Sequence, residues 1–158
     1  MKIRTKRAGI AFVGLIVLVV PSIAAAQEVT PPVVKEFVAA INGNDLRRLR
    51  ELFSADFVMP QRDASCPKQQ SDRDCQIARL QRTLLGSNGK IELGSVKSQR
   101  EISRFSVTLT SNAIRAVGVT RVAATKEAVI ANGKIQSLIT TLHTDDPDTK
   151  RYTQRAKT

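Results

Sequence analysis

The chain has 158 residues, which suits one domain with a single hydrophobic core, and it carries a formal net charge of +11. Positive charge favours anionic partners, but nucleic-acid binding also needs clustered basic residues and aromatic side chains for base stacking. Beyond the basic start at residues 2–7, the basic residues are spread from Lys35 to Lys157 with no dense block except residues 47–50. Aromatic residues make up 4% of the chain, so the composition argues against nucleic acid as a partner.

Residues 1–26 have the three-zone pattern of a cleavable secretory signal peptide. A basic start is followed by an apolar run over residues 10–20 and by a small-residue stretch at 24–26. The apolar run is shorter than the roughly 20 residues that a helix needs to cross a bilayer, so we expect no stable membrane anchor. The sequence therefore predicts an exported protein, periplasmic or secreted, whose domain begins near residue 27.

Two helices are predicted at the start of this domain. Thr30 and Pro31 form a helix start, and Val34, Phe37, Val38 and Ile41 then fall on one helical face. After a turn at residues 42–44, Asp45 can cap a second helix with an apolar stripe over Leu46, Leu49 and Phe53. The short apolar run at residues 57–59 predicts a strand.

A polar segment at residues 60–73 predicts a long loop. The chain has two cysteines, of which Cys66 lies in this loop and Cys75 follows it. In an exported protein such a pair indicates a disulfide bond. A metal site is the rival interpretation, but two thiols and one distant histidine make a poor ligand set. We therefore predict a disulfide, with no metal and no cofactor.

A third helix and a series of strands follow. Ser71 and Asp74 have capping-box spacing before a helical stripe formed by Ile77, Leu80 and Leu84. Alternating patterns then predict strands around residues 91–93, 105–109, 114–122, 127–131 and 134–143, with a hairpin turn at Asn132-Gly133. Residues 146–158 form a charged tail that we expect to be loose.

Three helices followed by antiparallel strands predict an α+β domain in which a curved sheet wraps the helices. The stretch VVKEFVAAINGNDLRRLRELFSADFVM and the later VIANGKIQSLITTLHTDD resemble the nuclear transport factor 2-like superfamily, which includes SnoaL-like cyclases and ketosteroid isomerase. The resemblance covers residues 27–145 and implies a cystatin-like cone with a pocket between helices and sheet. Because this superfamily holds enzymes and binding proteins, the fold alone leaves the function open.

Comparison with ketosteroid isomerase implies that its catalytic groups are missing. That enzyme uses a carboxylate base and two acidic hydrogen-bond donors. Here Phe37 takes the place of the donor tyrosine and Gln61 that of the base, while the second acid falls near Lys126 or Glu127. Asp63 replaces Gln61 if the alignment slips by two residues, so Asp63 is a weak catalytic candidate.

Other polar residues have structural explanations beside functional ones. His143 is the sole histidine and a weak catalytic candidate, but strand alternation places it on the outer face of the sheet. Asp45 and Asp56 fit a helix cap and a turn. Arg62 and Arg73 flank the disulfide loop, where they could hold a carboxylate or phosphate group at a pocket mouth.

The inward stripes of helices and strands define the predicted ligand-binding residues: Phe37, Phe57, Met59, Leu80, Leu84, Phe105, Leu138 and Leu142. They favour a pocket for a small, largely apolar molecule that is bound without being transformed. One alternative is a SnoaL-like lyase, isomerase or cyclase. The other is an interaction module that forms a homodimer or docks a partner through the open sheet face.

Overall fold

The computed structural model describes residues 30–62 and 64–156, so the predicted signal segment and Asp63 lie outside the described residues. Two helices come first, α1 over Pro32–Asn42 and α2 over Leu46–Leu52, followed by α3 over Asp72–Thr83 and a short 3-10 turn over Leu85–Ser87. The Asp45 side chain caps α2 by accepting a hydrogen bond from the Arg48 amide, as the sequence predicts.

Four strands form one antiparallel sheet in the order β1-β2-β3-β4. The strands are β1 over Lys90–Gln99, β2 over Ile102–Thr110, β3 over Val122–Ala131 and β4 over Lys134–Leu142. Register shifts between Leu93 and Val96 and between Val129 and Ile130 mark irregularities of the kind that increase strand twist and bending. The predicted α+β class is therefore confirmed.

The helices pack on one face of this sheet around an aromatic cluster. The ring of Phe37 on α1 makes edge-to-face contacts with Phe53, whose centroid is 6.3 Å away, and with Phe105 on β2, at 6.5 Å. Phe53 in turn contacts Phe57 at 5.0 Å. Edge-to-face pairs of this kind add to the stability gained from apolar burial, so the cluster anchors α1 to the sheet.

Two of the predicted strands do not form. Residues 57–59 form no strand, although the Val58 amide donates to the Gln136 carbonyl of β4 over 2.9 Å. Residues 114–122 also form no continuous strand, because the Ser111 hydroxyl caps a short helix, α4, over Asn112–Ala116.

The tail, expected to be loose, instead contains α5 over Pro147–Arg155. Asp146 is its N-cap and accepts hydrogen bonds from the amide and the hydroxyl of Thr149. The buried Thr149 hydroxyl also accepts a hydrogen bond from the Ala123 amide over 2.8 Å, which fixes α5 to β3. Within the described part of the chain, no helix has the length and apolar character needed to cross a membrane.

The disulfide between Cys66 and Cys75 is present, with 5.9 Å between the two Cα atoms. It joins the long loop to the first turn of α3. The Asp72 carboxylate accepts a hydrogen bond from the Met59 amide over 2.9 Å, which fixes the chain before the loop to the same helix. These contacts hold residues 59–61 beside α3, where they border the cavity described next.

Candidate functional site

A partly enclosed cavity of about 310 Å³ lies between α3, α5 and the inner face of the sheet. Its volume is at the lower end of the range of about 300 to 1,000 Å³ that is typical of small-molecule pockets. Residues 59–61 border one side, and Tyr152 of α5 contributes to the wall. The tail helix is therefore part of the site.

Apolar side chains form most of the cavity wall, and polar side chains line it both at the exposed rim and in the buried interior. Buried apolar side chains form the inner wall: Leu80, Leu84, Leu109, Ile114, Val122 and Leu138. Exposed polar residues line the rim, namely Gln61, Arg79, Thr83 and Thr140, and Gln76 is a buried polar residue of the lining. Such a wall suits an apolar molecule, and the polar rim supplies groups that could orient it.

One charged side chain, Lys126 of β3, is buried within this site and is only 3% exposed. Strand alternation explains its direction, since the inward positions of β3 are Val122, Ala124, Lys126 and Ala128. The neighbouring small residues Ala124 and Ala128 are themselves buried. Alternation along the full length of β3 identifies Lys126 as inward-facing, but the strand predicted from the sequence begins only at residue 127.

The Lys126 ammonium group contacts a hydroxyl group and lies over an aromatic ring. Its Nζ donates a hydrogen bond of 2.8 Å to the hydroxyl oxygen of Thr140, its register partner on β4. It also lies 5.9 Å from the ring centroid of Phe37, near the limit for a cation–π interaction. Neither neighbour carries a negative charge.

The cavity is electropositive. Burial, together with the nearby positive charge of Arg79, lowers the pKa of Lys126 to about 8. Among the described lining residues there is no Asp or Glu to balance these two cations. An uncompensated buried ammonium is costly, and an anion entering the cavity would reduce that cost.

Of the eight residues predicted to bind a ligand, the structure brings five to the cavity wall: Met59, Leu80, Leu84, Leu138 and Leu142. The other three, Phe37, Phe57 and Phe105, are buried in the aromatic cluster and are not among the lining residues. Large rings pack most favourably against one another, so they fill the core behind Lys126 instead of facing the open space.

The polar candidates are dispersed. Gln61 lies at the cavity rim, whereas Asp63 is outside the described residues. His143 follows β4, and its Nε2 atom is 2.7 Å from the Thr125 hydroxyl oxygen; it does not line the cavity. Asp56 is exposed in the turn after α2, also away from the lining residues.

The arginines of the disulfide loop are not at the cavity. Arg62 forms an ion pair with Asp72 and donates to the carbonyl oxygens of Pro67 and Gln70 over 2.8 and 2.7 Å. It therefore organises the loop. Arg73 lines a separate shallow depression near α2. Among the described residues, no group of three or more His, Cys, Asp or Glu residues could hold a metal ion.

Solved structures with the same fold come from proteins of several activities. IdmH of Streptomyces antibioticus, a candidate polyketide cyclase, aligns with a TM-score of 0.59 at 16% identity, over 80% of this chain and 96% of its own. An epoxide hydrolase-like protein of M. tuberculosis aligns with a TM-score of 0.55 at 13% identity, over 80% of this chain and 91% of its own.

An NTF2-like protein from Cytophaga hutchinsonii aligns with a TM-score of 0.55 at 14% identity, over 77% of this chain and 96% of its own. The sequence itself matches no protein-family model and no curated protein. The comparisons therefore agree on the fold, and at these identities they carry no activity over to this chain.

Proposed function

Because the chain has the nuclear transport factor 2-like fold, in which a cavity lies between helices and sheet, we propose that it is an exported protein that binds a small, largely apolar molecule in this cavity. The observation that carries the proposal is the partly enclosed space of about 310 Å³, whose wall consists mainly of apolar side chains. Export is supported by the signal-peptide pattern of residues 1–26 and by the disulfide, which forms in oxidising compartments.

The interaction-module alternative needs a broad apolar sheet face, and the outer face carries polar groups. Arg104 on β2 forms an ion pair with Glu127 on β3. Nearby on the same face, the Thr125 hydroxyl contacts His143. Among the described residues, Val58 and Ile102 are the large exposed hydrophobics, and they lie on separate elements. These observations favour the cavity over the sheet face as the functional surface.

A proton-transfer enzyme is the second candidate, and Lys126 is the observation that favours it. A pKa of about 8 lies within the range in which a side chain can both accept and return a proton near neutral pH. The residue faces the space in which a substrate would lie. Turnover of a cavity-sized substrate that is abolished by Lys126→Met would place this candidate first.

Native mass spectrometry of the protein recovered from the periplasm tests the binding proposal. We expect a mass excess from a small molecule, retained in the wild type or acquired after addition of decanol, and lost on denaturation. Leu142→Trp, which adds bulk at a half-buried wall position, should reduce the bound fraction. The control Val58→Trp changes an exposed residue outside the cavity and should not. A bare mass under all these conditions would contradict the proposal.

A further inference from the structure

The charge inside the cavity indicates what its ligand must carry. An ammonium group has three N–H donors, and the hydrogen bond from Lys126 to the Thr140 hydroxyl uses one of them. A buried cation is stable when it is paired with an anion as well as hydrogen-bonded. The described wall of the cavity offers Lys126 no carboxylate.

Arg79 adds a second cation at the rim. It is an exposed residue of α3 that lines the same cavity, and within the described residues it forms no ion pair. Its guanidinium group lies close enough to Lys126 to oppose the positive charge there. Two cations, one on α3 and one on β3, thus line the same cavity. Tyr152 is the other titratable side chain among the described lining residues.

We propose that the cavity selects ligands with an anionic head group, such as a carboxylate, which binds between Lys126 and Arg79. The inference rests on the proposed binding function and specifies its ligand class as an apolar monoanion. Charge-assisted hydrogen bonds from an ammonium and a guanidinium group to a carboxylate are the interactions that this pair of side chains offers.

The arrangement of the lining residues also orients the ligand. The Nζ of the buried Lys126 donates to the hydroxyl group of the exposed Thr140, and Arg79 in the same lining is exposed as well. Leu109, Ile114 and Val122 form buried apolar wall away from these polar groups. We expect the head group to bind beside these polar groups and the apolar chain to extend along the apolar wall.

A calorimetric comparison of ligands that differ in the head group tests the inference on the full mature protein. Octanoate, decanoate and dodecanoate are compared with the matching alcohols and alkyltrimethylammonium ions at neutral pH. We expect each carboxylate to bind about 10- to 100-fold more tightly than its alcohol, the range expected for hydrogen bonds to charged groups. The cationic ligands should bind more weakly than the alcohols.

Two variants separate the head-group contacts from the fold. Lys126→Met keeps the side-chain length without the charge, and it should bring the carboxylate-to-alcohol ratio close to one while alcohol binding is retained. Arg79→Gln changes an exposed residue and should lower the same ratio by a smaller factor. Lys97→Met, an exposed position on β1 outside the cavity, is the matched control and should leave the ratio unchanged.

The outcomes distinguish the two proposals. If carboxylates and alcohols bind the wild type equally well, the anion inference is wrong while the binding function stands. If the preference for carboxylates survives in both Lys126→Met and Arg79→Gln, the assigned residues are wrong. Absence of binding by every ligand in the series would overturn the proposed function and the inference together.

Discussion

Lys126 and Thr140 are register partners on adjacent strands, and the ammonium nitrogen of one donates a 2.8 Å hydrogen bond to the hydroxyl oxygen of the other. Both side chains face the cavity, whereas the next residue, Thr141, pairs with Thr125 on the other face. This hydrogen bond therefore links the buried charge of Lys126 to an exposed residue of the cavity wall. Its consequences can be measured in several ways.

Replacing Thr140 tests this hydrogen bond. Thr140→Val keeps the shape of the side chain but removes the acceptor, so the charged form of Lys126 loses stabilisation and its pKa should fall further below the ordinary value. The pKa can be followed by nitrogen-15 NMR of the lysine side chain. Thr141→Val, an exposed neighbour on the opposite face, should leave the pKa unchanged.

Replacing Lys126 tests the cost of its burial. Its pKa is about 8 in the folded protein and 10.5 for the ordinary side chain, so the unfolded chain binds more protons between these values. Wild-type stability should therefore rise with pH across this window, by up to about 3 kcal/mol from this group. The Lys126→Met side chain does not titrate in this window and carries no buried charge. The variant should therefore be more stable than the wild type at pH 7, and this difference should shrink by a similar amount near pH 10.

Urea unfolding of the wild type and Lys126→Met at both pH values gives this difference. The other titratable side chains of the described cavity lining, Arg79 and Tyr152, remain in both proteins, so their contributions cancel to first order. A stability difference that does not vary with pH would mean that Lys126 titrates as it would in water.

Ligand affinity should also depend on pH. A bound carboxylate places a negative charge beside Lys126 and raises its pKa, so binding takes up a proton when the free protein is above pH 8. Decanoate affinity should be level between pH 6 and 7.5 and then fall, by up to about tenfold per pH unit. Titration calorimetry across this range checks the profile, and decanol provides the control with no expected decrease.

The sequence predicted the three N-terminal helices and the β3–β4 hairpin, because capping residues, helical stripes and the Asn132-Gly133 turn are local features. It did not predict α5, since the apolar content of that helix is low and its position depends on the distant contact between Thr149 and Ala123. Four wall residues, Leu80, Leu84, Leu138 and Leu142, followed from inward stripes, whereas Met59 was assigned through a strand that does not form. Lys126 was overlooked because the predicted strand began at residue 127, whereas β3 begins at Val122.

The disulfide should contribute measurably to stability. Cys66 and Cys75 close a loop across nine positions, for which the chain-entropy estimate gives about 2 to 3 kcal/mol. The double variant Cys66→Ser, Cys75→Ser should lose about this free energy of unfolding in urea. Adding reductant should destabilise the wild type to the same extent and leave the double variant unchanged; equal stability of all forms would show that the bond is dispensable.

Isomerisation of a ketosteroid-like substrate should not occur. Phe37 is fully buried in the aromatic cluster and has no donor, and Gln61 at the rim cannot act as a base. Losing an oxyanion donor costs about 10²- to 10³-fold in rate and losing a base about 10²- to 10⁴-fold. The assay follows the formation of a conjugated enone by absorbance. Clear turnover that disappears in Asp63→Asn would show that Asp63 supplies the base.

A crystal structure of the mature protein saturated with decanoate tests the central claim most directly. The account predicts a carboxylate oxygen within hydrogen-bond distance of the Lys126 Nζ and near the Arg79 guanidinium group. The alkyl chain should lie inward against Leu109 and Val122. A cavity that remains without ligand at saturating decanoate, or a chain bound with its carboxylate away from both cations, would contradict the account.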